Sequence, residues 1–416
     1  MTPPEEGRSV GRPAPLVILL LASTLTIMAG AVVAPVLEVI RSDLGVGGTA
    51  AGLIITTHGL ATALASPLAG WLIDRWGVRV PLAGGLVLYG VAGGAGMVTE
   101  SYAALIASRF VFGLGAAAVF TGTTVALLAY YRGTARDKVM GWRSTAISLG
   151  GVAWPLLAGA LGEFSWHTPF AIYTLGIPLG LATLLVLPRA AAAGTDRDEK
   201  GGGILPLLRR RPAILGYYAM LIVASLLLYS LAVFAPIRLG EVGVRAPFIV
   251  ALVSMANSVA MTLVGLAYAK ARAGLGYRRL LQLVALLWVT AFAIMSTTGS
   301  PVLIAVAMGL FGLGMGLQMP AVTVLIGDSA PPDLRGQATA LSGTASFAGQ
   351  FVSPLLLGPL VDTTSVRTGY LAAAGIALVL LVVLLVVRLN DPGETAGEQD
   401  TPKDPAVPAA GTTKEA

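Results

Sequence analysis

Long apolar runs, each followed by a short polar stretch, recur from one end of the chain to the other. They fall at roughly 16–37, 50–73, 80–98, 102–128, 139–161, 168–187, 213–236, 247–269, 279–297, 301–326, 337–360 and 369–388. Each is close to the ~20 residues that an α-helix needs to cross a ~30 Å hydrocarbon layer. None alternates with a period of two, so the pattern predicts helices rather than barrel strands. The first run follows Arg8 and Arg12, as a signal peptide would. It is longer than the usual signal core and more spans follow it, so it reads as a retained first helix. The expectation is an all-α membrane protein of twelve transmembrane helices.

The runs also repeat. Phe112-Gly113-Leu114-Gly115 returns as Phe311-Gly312-Leu313-Gly314, an offset of 199. The same offset carries Gly77 onto Gly276, Arg79 onto Arg278, Arg136 onto Arg335, Pro155 onto Pro354, Gly159 onto Gly358 and Glu163 onto Asp362. Several matches at one constant offset predict a duplicated unit of six helices. An even number of spans gives both units the same topology, related by a pseudo-two-fold axis along the membrane normal. The expected organisation is an N-terminal bundle over 16–187, a polar linker over 188–212 and a C-terminal bundle over 213–388. Tails at 1–15 and 389–416 have a disordered, cytoplasmic composition.

Composition removes the soluble alternatives. The 416 residues are 56% hydrophobic and only 12% charged, against about a quarter in soluble domains; the mean hydropathy is +0.81. With a cytoplasmic N-terminus, 22 of the 27 Lys and Arg fall inside and four outside. That bias predicts a multi-pass protein of the cytoplasmic membrane with both termini inside. The pI near 9.6 is then a topology signal, so no nucleic-acid partner is expected. The chain has no cysteine and two histidines, and no phosphate loop ends in Gly-Lys-Ser/Thr. We therefore expect no metal, no cofactor and no ATP-driven or enzymatic chemistry.

Three stretches carry candidate chemistry. Between spans 2 and 3 stand Gly70, Leu72, Asp74, Arg75, Gly77 and Arg79. Gly70 would let a helix approach closely, Asp74 could accept bonds from a helix N-terminus, and Gly77 suits a tight turn. Such a cluster can latch one face in one state; an ordinary charged loop is the plain alternative. Span 4 holds Arg109, the one basic residue placed within a span. A buried membrane charge costs at least ~2.5–3.5 kcal/mol, so it should face a cavity, unless it snorkels to the outer interface. Span 5 carries Gly141, Gly150, Pro155 and Gly159, a smooth surface for close packing against the other half, or simply a Gly/Pro-rich helix. His58 in span 2, with Asn257 as its repeat partner, can carry a proton or hold a structural bond. Gln318, Gln350, Thr56, Thr57, Thr121 and Ser148 are further polar candidates. The acids all lie in loops, tails or helix ends, so a multivalent cation finds no mid-span counter-charge.

The stretch from Gly70 to Arg79 resembles the loop G-x-L-x-D-R-x-G-R of the major facilitator superfamily, with one spacer before its last basic residue. In the second half Ala273 replaces the acid, while Gly276 and Arg278 persist. Arg109, Gly113 and Gly115 resemble the fourth-helix motif of the family's proton-coupled exporters. Gly141, Gly150, Pro155 and Gly159 resemble their fifth-helix motif, with Trp154 and Ala158 at two expected glycines. The resemblance implies two six-helix bundles that expose a midplane site to each side in turn. It implies that Arg109, Thr24, Gln318 and Tyr229 line the cavity, and that Asp74, Arg75 and Arg79 act in gating. The expected function is secondary active, proton-coupled export of a small organic solute. Its partners are that solute, protons and the lipid bilayer, and it acts as a monomer. The alternative is a symporter or uniporter that takes up a neutral or anionic metabolite.

Overall fold

Apolar runs of this length leave the backbone no partner in lipid except itself, and the chain forms helices accordingly. The computed structural model describes residues 13–188, 208, 212–331 and 334–387. Residues 1–12 of the expected N-terminal tail, the whole expected C-terminal tail and most of the linker lie outside the described residues. The first half comprises α1 (Pro13–Ala31), continued through a 3-10 turn into α2 (Leu37–Asp43), then α3 (Gly48–Trp76), α4 (Arg79–Gly94), α5 (Tyr102–Tyr130) and α6 (Gly133–Gly162). A 3-10 segment (Thr168–Leu175) leads into α7 (Gly176–Val186). The second half comprises α8 (Pro212–Glu241), α9 (Pro247–Thr297), α10 (Pro301–Ser329), α11 (Arg335–Thr363) and α12 (Val366–Val386). Helix α9 is two spans in one: its path breaks at Gly276, at φ 68°. The expected loop between spans 8 and 9 is therefore one glycine wide. With α1–α2 counted as one crossing and α9 as two, the fold is the expected twelve-span pair of bundles.

The helices overrun the apolar runs. Asp74 and Arg75 belong to the last turns of α3, and only Gly77 and Val78 separate α3 from α4. Gly77 has φ 73°, the repeat image of Gly276, and a side chain would strain there. Each turn is fixed by an arginine two residues on. Arg79 donates to the Leu184 carbonyl at the end of α7, and Arg278 donates to the Leu385 carbonyl at the end of α12, 2.9 Å away. A cation at a helix C-terminus satisfies orphan carbonyls and complements the macrodipole.

Within each bundle one helix is wedged between two others, and glycine decides how closely. A Cβ on Gly113 of α5 would lie 2.5 Å from the His58 carbonyl oxygen of α3, and one on Gly115 would lie 2.6 Å from the Tyr89 nitrogen of α4. In the second half Gly312 presses on the Asn257 backbone and Gly314 on the Trp288 indole. The repeated Phe-Gly-Leu-Gly is thus the packing seam of both bundles.

The two bundles meet at the end away from the termini, which we call the distal face. There Gly159 of α6 abuts Pro247, Phe248 and Ala251 of α9, while Gly52 of α3 abuts Pro354 of α11 and Val233 of α8. At the opposite, proximal end, Gly70, Gly141, Gly265 and Gly343 have nothing within 4 Å of a would-be Cβ. The molecule is closed distally and parted proximally.

Candidate functional site

Arg109 is fully buried, but it does not face a cavity between the bundles, as its charge suggested. It points into the first bundle, where Nη2 donates to the Gly93 carbonyl of α4 at 2.8 Å. The guanidinium carbon lies 4.8 Å from the Phe112 ring and 5.0 Å from the rings of both Phe170 and Tyr173. Nε and Nη1 have no hydrogen-bond partner. Among the described residues its ion partners include no carboxylate. Three π faces replace the missing anion: each desolvated cation–π contact is worth up to about 2 kcal/mol or more. A buried charge is therefore held without a counter-charge, inside a cage built by α4, α5 and the 3-10 segment. The same cage grips α1, because Tyr89 donates to the Leu25 carbonyl and Tyr173 to the Ala29 carbonyl, both at 2.8 Å.

His58 sits one ring away. Its imidazole meets the Phe112 edge at 5.8 Å and, on its other side, lies 3.3 Å from the amide nitrogen of Gln350 in α11. This is a buried polar contact between the bundles, within the spans of α3 and α11, and Gly59 makes room for it: a Cβ there would lie 2.7 Å from the Gln350 side chain. Which of the two groups donates in this contact depends on the imidazole tautomer, and the buried Nδ1 has no hydrogen-bond partner. Arg109, Phe112, His58 and Gln350 thus form a continuous path from the interior of one bundle to the surface of the other.

Among the described residues, only Tyr229 of the remaining cavity candidates makes a contact across the two halves. Thr24 is half-buried on α1, bonds the Leu21 carbonyl and lies against Gly150 of α6. Tyr229 of α8 crosses α1 at Gly30, its ring 3.7 Å from a would-be Cβ. Gln318 is fully buried on α10 with neither amide atom bonded, and the Asn257 Oδ1 is likewise unpartnered. An aromatic pair that the sequence did not single out, Phe120 of α5 and Phe347 of α11, meets edge to face at 6.1 Å across the interface.

Two packing expectations need correction. Gly70 and Gly141 touch no neighbouring helix, because both lie at the parted proximal end. Gly150 packs on its own bundle, against Thr24 and the Trp154 indole, and only Gly159 meets the other half. Pro155 lies inside α6, between the two. In the proximal cluster Arg79 ties α4 to α7 within one bundle, and Arg75 lies over the Trp71 ring of its own helix at 5.7 Å. Asp74 is half-buried on the same last turns of α3.

The chain matches the Major Facilitator Superfamily over residues 19–274 and 247–414. It is 25% identical over 366 residues to quinolone resistance protein NorA of Staphylococcus aureus, spanning 86% of this chain and 92% of that protein. It is also 25% identical over 372 residues to multidrug resistance protein 1 of Bacillus subtilis, spanning 88% and 95%. Among solved structures it is similar to the nucleoside transporter NupG, with a TM-score of 0.76 at 18% identity, covering 90% of this chain and 98% of that one. A D-xylose-proton symporter gives a TM-score of 0.72 at 16% identity, covering 91% and 98%. At those identities the likeness is one of fold.

Proposed function

The chain belongs to the major facilitator superfamily of transporters, and from that premise we propose that it exports a small organic solute in exchange for protons. The observation that carries the export reading is the similarity, along nearly the whole chain, to two proteins named for drug resistance. The positive-inside bias supports placing both termini in the cytoplasm, which makes the parted proximal end the inner mouth and the distal end the outer one.

Transport proceeds by alternating access. Solute enters from the cytoplasm between the parted bundles and rests near the midplane, where Thr24, Tyr229 and Asn257 offer polar contacts and Phe120 and Phe347 offer rings; Gln318, fully buried here, joins them only once α10 moves. His58 is the proton carrier. While neutral it accepts from Gln350 and ties the bundles together; once protonated it has two donors and no acceptor, so that tie must be rearranged. Arg109 does not touch the solute. It holds the cage that positions Phe112 and α1 behind His58, and its fixed charge sets the field there. Gly70, Asp74, Arg75, Gly77 and Arg79 form the inner gate, open in this state, with Arg79 keeping the α3–α4 turn in shape.

The test is uptake of cationic, neutral and anionic organic probes into everted vesicles energised by a proton gradient, for wild type, His58→Gln and Arg109→Ala. Accumulation that collapses with the gradient and is lost in His58→Gln supports proton-coupled export. Entry into intact cells without accumulation in everted vesicles overturns it.

A further inference from the structure

Neither α3 nor α9 caps its own distal N-terminus. Their N-cap positions are Gly47 and Ala246, and no side chain at those positions bonds the first turn. A helix start leaves four N–H groups unpaired, so each needs an acceptor. Both acceptors come from the opposite bundle. Asp362 of α11 takes the backbone N–H of Gly48 and of Thr49, the latter at 3.1 Å, and also the Thr49 hydroxyl. Glu163, at the end of α6, takes the Phe248 N–H at 3.0 Å. The two contacts are repeat images, since the offset of 199 that carries Glu163 onto Asp362 also carries Thr49 onto Phe248.

Position argues that these acids serve the neighbour. Each lies at the C-terminal end of its own helix, where the macrodipole disfavours a negative charge, and each points at an N-terminus, where the dipole favours one. The approach is also built for. A Cβ on Gly47 would lie 3.0 Å from an Asp362 oxygen, and one on Gly48 would lie 3.1 Å away. The glycines leave α3 bare for the carboxylate to reach. Arg41, Glu38 and Glu241 face Asp362 across a distal cavity of about 420 Å³, so the lock is wetted and can be released.

We propose that Asp362 and Glu163 are a pair of inter-bundle locks that hold the distal face shut and set how readily it opens. Separating the bundles distally strips both helix starts of their caps at once. The α3–α11 lock, with three donors, is the stronger, and the α6–α9 lock, with one, the weaker. The inference rests on the two bundles separating as units, and on neither the solute nor the direction of transport.

The experiment uses the natural absence of cysteine in the chain. Val233→Cys places a thiol at a fully buried distal position beside Gly52, and Gly141→Cys places one at the open proximal end. Maleimide labelling rates are read in detergent on the full chain, so membrane sidedness does not enter. Asp362→Asn should raise distal labelling between about two- and thirty-fold, the range for loss of one charge-assisted helix cap, and lower proximal labelling. Glu163→Gln should do the same more weakly, and the double variant should approach the product. Unchanged rates overturn the proposal. A rise at both thiols also overturns it, because that is what a loosened or misfolded protein would give.

Discussion

Gly159→Ala should push the protein toward the state in which its distal face is open. The added methyl would stand 2.8 Å from the Pro247 carbonyl oxygen and 2.9 Å from both the Ala251 Cβ and the Phe248 Cα, all across the interface. Two of the three are backbone atoms, which cannot swing aside as a flexible side chain would. Overpacking of this kind costs typically ~1–3 kcal/mol. The clash exists only while α6 and α9 touch, so the cost falls on the distally closed state alone. A bias of that size changes the open-to-closed ratio between about 5- and 150-fold, since each ~1.4 kcal/mol is tenfold. Spin labels at Ser42→Cys and Arg245→Cys, exposed distal positions on the two halves, report the separation by electron–electron resonance. Gly159→Ala should transfer population from the short to the long distance. Gly113→Ala would clash as severely, 2.5 Å from the His58 carbonyl oxygen, but inside one bundle. It should lower thermal stability without moving that distance distribution. Gly141→Ala, with nothing within 4 Å, is the neutral control. An unchanged distribution in Gly159→Ala, or an equal shift in Gly113→Ala, would refute the reasoning.

Further perturbations separate the roles assigned above. Asp74→Asn should slow turnover while leaving solute affinity nearly intact, measured as a split between maximal rate and half-saturation; wild-type turnover would remove the gate role. Gln350→Ala leaves His58 Nε2 buried without its partner, a loss of about 1–3 kcal/mol in the inter-bundle tie, and the pH profile of transport should flatten or move with it. A wild-type profile would count against His58 as the carrier. Arg109→Lys keeps the charge but loses the planar cation that three rings surround, so both thermal stability and transport should fall; full activity would show that charge alone suffices.

Much of the fold was legible because lipid simplifies the rules: an apolar run of sufficient length has one structure open to it. The duplication was legible for a different reason. Its repeated residues are those with no substitute, namely Gly77 and Gly276 at positive φ, and Gly113 and Gly312 against a neighbouring backbone. The direction a side chain takes was not legible. Arg109 reads as a cavity residue while its helix is viewed alone; only the tertiary meeting of Phe112, Phe170 and Tyr173 reveals another home for a cation. Glu163 and Asp362 were visible as a repeat pair among loop acids. Their meaning lies in the uncapped helix starts opposite them, which no local pattern records.

The bonds sort by what they join, and the sorting bears on how the molecule moves. Arg79 and Arg278 tie the proximal turn of each bundle to that bundle's last helix. The wedged glycines fasten α5 and α10 to their own neighbours. Such contacts lie within a bundle, do not change when the two bundles separate, and so keep each one rigid. Among the described residues, the contacts between bundles are of another kind: a carboxylate on a helix start at two distal points, one amide beside an imidazole, the Phe120–Phe347 ring pair, Tyr229 against Gly30, and glycine faces that touch without interlocking. Each of the polar ones can be exchanged for water or a proton at a cost of about 1–3 kcal/mol. Two stiff bodies joined by weak, replaceable contacts have rocking as their softest motion. A ligand or proton that acts on any one of those contacts therefore biases the whole rotation.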